Sequence, residues 1–101
     1  MSNATSVSPT LIDIYQKLGQ NPQVILKNYA MDHVLAKIQK YEAESQKFAA
    51  KYNTPFADFQ KKVAKMKNAE NFSWEDDLMD WEFSTENLQY WTKVLETLKS
   101  A

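Results

Sequence analysis

The sequence predicts an all-α protein, a hairpin or bundle of about four helices built on two long antiparallel ones, and three features carry that expectation. Apolar residues recur every seven positions along two long stretches, the period of a helix packed against another helix. Helix-start signals, in which a capping side chain stands before proline or acids, precede those stretches. Glycine occurs once and proline three times, too few for the positive-φ and turn positions that a many-stranded β fold needs.

The first helix is expected over residues 10–18. Thr10 can cap it, and Leu11, Ile14, Tyr15 and Leu18 follow at i, i+3, i+4 and i+7, with Gly19 to end it. Asn21-Pro22 then reads as a cap followed by a first-turn proline, whose missing N–H costs nothing there. The second helix is expected over 22–52. Val24, Met31, Ile38, Ser45 and Tyr52 are spaced by seven, and Val34, Tyr41 and Phe48 fill the intervening row, which makes a packing seam. Ile25, Leu26 and Tyr29 point away from the seam, where the first helix is expected to fold back.

Asn53-Thr54-Pro55 breaks the pattern, with Thr54 ready to cap a third helix over 55–67. Phe56, Phe59, Val63 and Met66 share one face of it, and lysines cover the rest. Asn68 to Phe72 is expected to be a polar loop, after which Ser73 caps a final helix over 74–98. Glu75, Asp76 and Asp77 suit the positive end of that helix, and Lys93 and Lys99 its negative end. Its seam reads Trp74, Trp81, Leu88 and Leu95, flanked by Leu78, Trp91 and Leu98.

A chain of 101 residues has room for one core, and 44% hydrophobic with 25% charged residues is ordinary globular usage, so one folded domain over 5–101 is expected. Met1-Ser2-Asn3-Ala4 reads as an initiator methionine and the remnant of tag removal. There is no cysteine, which excludes disulfides and thiolate metal sites. No run approaches the roughly 18 to 20 apolar residues that cross a bilayer, and no signal peptide is visible, so a soluble, cytoplasmic protein is expected.

Net charge is −1, yet residues 1–67 carry ten lysines against five acids while residues 68–101 carry two lysines against eight. The two parts are complementary. All twelve basic residues are lysine, which removes the planar bidentate donor suited to phosphate and guanine, so nucleic-acid binding is disfavoured.

The final helix is apolar on two opposite sides. At about 100° per residue, Trp81, Leu88 and Leu95 lie within about 60° of Trp74, whereas Met79, Phe83, Tyr90 and Val94 cluster between about 140° and 200°. One side can pack on the long second helix. The other needs a separate cover, supplied either by the third helix or by a second copy or foreign partner. Aromatics here are interleaved with Glu75, Asp76, Asp77, Asp80, Glu82 and Glu86, a composition that suits docking on a basic protein. Met79, Phe83, Tyr90 and Val94 are therefore the candidate partner-binding residues.

Catalysis has little to work with. His33 is the only histidine, there is no cysteine nucleophile, and one glycine cannot build a phosphate loop. No enzyme activity, cofactor or resident metal is expected. The competing reading groups Asp76, Asp77 and Asp80, three and four apart, as Mg²⁺ ligands of a helical nucleotide pyrophosphatase. A third is a structural subunit that self-associates.

Residues 5–38 resemble the ribbon-helix-helix antitoxin family: a short strand at Thr5 to Ser8, a helix opening Ser8-Pro9-Thr10, then Gly19, Asn21-Pro22 and an amphipathic helix. The resemblance implies a strand paired across a dimer in the DNA major groove and a C-terminal extension that neutralises a toxin. Only Thr5, Ser6, Val7 and Ser8 stand in the strand, without a basic residue. The segments Phe48-Ala49-Ala50-Lys51-Tyr52-Asn53-Thr54-Pro55-Phe56 and Glu75-Asp76-Asp77-Leu78-Met79-Asp80-Trp81-Glu82 are similar to small prokaryotic antitoxin-type proteins encoded beside a toxin. Together these imply a homodimer that binds a protein partner, a toxin, through its last helix.

Overall fold

A computed structural model describes residues 7–66 and 72–101. Four helices follow one another: α1 (Pro9–Lys17), α2 (Pro22–Tyr52), α3 (Phe56–Lys65) and α4 (Phe72–Lys99). The protein is all-α, and α2 and α4 pack along each other as an extended hairpin. At 31 and 28 residues these two helices set the shape, a rod of 65 × 31 × 20 Å. Its radius of gyration of 20.7 Å far exceeds the ~13 Å of a compact chain this long. Among the described residues no helix is long and apolar enough to cross a membrane.

The expected seam on α2 is present. Val34 and Tyr41 are buried, and Met31, Ile38, Ser45, Phe48 and Tyr52 are half-buried, so every a and d position from 31 to 52 faces inward. Val24, the first residue of that series, is exposed. The partners are antiparallel: the Lys27 ammonium donates to the Ala101 carbonyl at 2.9 Å, and the Trp81 indole N–H donates to Ser45 Oγ at 3.0 Å. Lys51 pairs with Asp77 at 2.6 Å near the turn end of the hairpin.

The row of α4 beside Trp74, Trp81, Leu88 and Leu95 is partly polar. Ser84 is fully buried there and its hydroxyl donates to Glu44 Oε1 at 3.2 Å, while Asp77 turns toward Tyr52 and Lys51. Spacing of seven links 77, 84, 91 and 98, so Asp77 and Ser84 complete the row that Trp91 and Leu98 begin. The small side chains of Ser45 and Ser84 leave room for Trp81, and their hydrogen bonds tie one register together.

Three helix starts differ from expectation. Ser8, not Thr10, is the N-cap of α1, because Pro9 is favoured in the first turn and carries the helix start forward. Pro55, not Thr54, precedes α3, without a side-chain cap. Ser73 lies within α4, which already includes Phe72. Asn21 does cap α2, its side chain accepting from the Gln23 N–H at 2.9 Å. Gly19 closes α1 at φ +73°, with Gln20 N–H donating to Tyr15 O and Gly19 N–H to Gln16 O, the Schellman arrangement. Asn53 ends α2 in the same left-handed region. The expected loop over 68–71, Lys67, and Thr5 and Ser6 of the expected strand lie outside the described residues. Val7 and Ser8 are irregular.

Candidate partner-binding face

The core is concentrated at one end of the rod. Where α2 turns into α3 and α4 begins, six aromatic rings meet. Phe59 is completely buried, with its ring 4.1 Å from Tyr52, 5.7 Å from Trp74 and 5.4 Å from Trp81. Phe48 stacks on Trp81 at 5.9 Å, and Phe56 meets it edge-on at 5.3 Å. These tilted and edge-to-face arrangements add to the burial itself.

An ion pair borders this cluster. Asp77 accepts from both Lys51 and the Tyr52 hydroxyl. The Lys51 ammonium, followed by the Tyr52 hydroxyl, holds the Asp77 carboxyl below the usual carboxylate range. Lys51 is raised in turn, chiefly by its hydrogen bond to Asp77, and Tyr52 is raised by desolvation and then by Asp77.

Because α3 is committed to this aromatic end, it leaves the outer strip of α4 open. Met79 is 69%, Phe83 56% and Tyr90 59% exposed. Phe83 meets the edge of the Tyr41 ring at 6.0 Å and lines a shallow groove with Glu44, Lys47, Phe48 and Asp80, and Tyr90 rests on Trp91 at 5.0 Å. Val94 differs: it is half-buried, since its position on the helix leans toward the seam. Phe72 joins the strip, for it is exposed, seven residues before Met79, and at about 160° on the same wheel. That spacing was visible in the sequence, but the expected loop over 68–72 kept Phe72 off the helix.

Carboxylates frame the strip. Asp76 and Asp80 are exposed on one flank and Glu82 and Glu86 on the other. Asp76, Asp77 and Asp80 do not converge: Asp77 turns inward to Lys51 and Tyr52 while its two neighbours stay exposed. Among the described residues no group of three or more His, Cys, Asp or Glu side chains comes together. His33 is exposed, with its ring 4.5 Å from that of Tyr29. Lys37 lies over Trp91 and Lys40 over Tyr41, at 5.9 and 5.1 Å from the ring centres, so part of the lysine-rich face of α2 folds over aromatic rings of the hairpin.

A second apolar area lies at the opposite end of the rod and was missed in the sequence. The α1 stripe of Leu11, Ile14, Tyr15 and Leu18, expected to pack on α2, is exposed, and α1 buries no residue. The side of α1 nearest α2 is instead marked by Ile12 and Gln16, which line a groove with Pro22, Gln23 and Leu26. A short turn after Gly19 sets the angle of α1, and residue spacing alone does not encode that rotation. Comparison with protein-family models, curated proteins and solved structures found no match.

Proposed function

We propose that the protein is a non-enzymatic binding module that masks a basic protein partner, in the manner of an antitoxin, through the outer strip of α4. One observation carries this reading: Met79, Phe83 and Tyr90 stay more than half exposed after α2 and α3 have packed. Large apolar side chains in a row, rimmed by charge, have the composition of an interface centre with a polar rim. The acids on both flanks favour a cationic partner and speed its approach. Phe72 extends the strip by two helical turns beyond Met79.

The test uses the protein encoded beside this one as ligand, titrated calorimetrically against the full chain and against Phe83→Ser and Tyr90→Ser variants. Each substitution is expected to weaken binding at least about tenfold, with thermal unfolding little changed. Affinity that survives both substitutions, or no binding to the unsubstituted chain, overturns the reading.

A further inference from the structure

Sulfur in this chain is confined to methionine: the sequence has four methionines and no cysteine. An oxidant therefore meets no thiol, and oxidation falls on the thioethers most open to solvent. Among the described residues those thioethers are unequal. Met31 in the α2 seam and Met66 at the end of α3 are half-buried, whereas Met79 on α4 is 69% exposed. Phe72 stands seven residues before it and Phe83 four residues after it on the same side of the helix, and both rings are exposed as well. The other side chains three and four residues from Met79 are Glu75, Asp76 and Glu82, which as carboxylates accept hydrogen bonds and donate none.

We propose that Met79 is an oxidation site through which hydrogen peroxide releases the basic partner, an inference that rests on the α4 strip being the partner-binding face. The Met79 sulfur attacks one peroxide oxygen and keeps it as a sulfoxide, the O–O bond breaks, and the second oxygen leaves as water with both protons. Sulfur loses two electrons and the peroxide gains them. An apolar thioether thereby becomes a polar group with a strong acceptor oxygen. On the open strip, water satisfies that oxygen. Under a partner it lies between Phe72 and Phe83, the neighbouring carboxylates offer no donor, and the partner's cations are drawn to those carboxylates at the rim. Burial of the unsatisfied oxygen then opposes binding. The fold itself is spared, because Met79 packs against neither α2 nor α3 as core.

The full chain is treated with hydrogen peroxide until roughly one oxygen is taken up per molecule, the peroxide is removed with catalase, and peptide mass spectrometry locates the sulfoxide. Met79 is expected to oxidise several-fold faster than Met31 or Met66, with thermal unfolding unchanged. Titrated with the protein encoded beside this one, the oxidised chain is expected to bind about ten- to a hundredfold more weakly. Methionine sulfoxide reductase should restore the affinity, which irreversible damage would not allow. A Met79→Leu chain, whatever its own affinity, should lose none of it on the same treatment, and that assigns the effect to residue 79. Oxidation of Met31 or Met66 ahead of Met79, or a Met79 sulfoxide that binds as tightly as the untreated chain, overturns the inference and leaves the strip's binding role standing. An untreated chain that does not bind, or whose binding survives the Phe83 and Tyr90 substitutions, overturns both.

Discussion

The two ends of the rod use similar side chains to opposite effect. At the turn end, α3 lies over the start of α4 and encloses Phe59, Trp74 and Trp81 with Tyr52. At the far end, α1 meets α2 along Ile12 and Gln16 and leaves Leu11, Ile14, Tyr15 and Leu18 outward. Both α1 and α3 are short amphipathic helices beside the same hairpin. What differs is rotation: α3 turns its apolar face toward the hairpin and becomes core, while α1 turns its apolar face outward and becomes surface. Amphipathicity thus supplies a face, and the connecting turn decides whether that face packs on the hairpin or stays exposed.

The largest test of this contrast compares Trp81→Ala with Leu11→Ser. Removing the buried indole should cost about 3 to 5 kcal/mol, through lost burial and the cavity it leaves. The exposed leucine should change monomer stability by no more than about 0.5 kcal/mol. Urea unfolding of both variants gives the comparison, and equal losses would mean that α1 belongs to the core.

A smaller effect is expected inside the seam of the hairpin. Ser84 is fully buried and sits where α2 and α4 approach through small side chains. Ser84→Leu should destabilise by about 1 to 3 kcal/mol by overpacking, whereas Ser100→Leu at the exposed end of the chain should be near neutral. The denaturation midpoint of each variant checks the difference.

The smallest effect concerns acid. Asp77 has a depressed carboxyl pKa in the folded state, so its contribution is complete above the unfolded-state value and is lost as pH falls through the folded one. Stability should therefore decline below the ordinary carboxylate range, and Asp77→Asn should lower stability at neutral pH by about 1 kcal/mol while removing part of that acid dependence. Urea midpoints between neutral and acidic pH, compared for the two chains, measure this. An unchanged acid limb in Asp77→Asn would assign it to other carboxylates.

Much of this architecture was legible in residue spacing. The bounds of α2 follow from Asn21-Pro22 and Asn53-Thr54-Pro55, and the a and d rows from Met31 to Tyr52 and the inward row of Trp74, Trp81, Leu88 and Leu95 follow from a seven-residue period, because helices that pack along their length meet again about every 3.5 residues. That Met79, Phe83 and Tyr90 share one side of α4 away from that row follows from the same arithmetic, whereas their exposure follows from where α3 lies. Polar positions were harder to read: Ser84 and Asp77 look like solvent residues until Glu44, Lys51 and Tyr52 are brought opposite them.

The residue order by itself determined helix content, the antiparallel pairing of two long helices and the doubly apolar character of α4, since each depends on local propensity and on angles along one helix. Tertiary structure alone decided that α3 covers the aromatic end rather than the outer strip, that Val94 leans inward while Phe72 joins the exposed row, and that α1 faces out. Those outcomes depend on how a short connection rotates one helix against another, and the few dihedral angles of a turn set that rotation independently of any hydrophobic period.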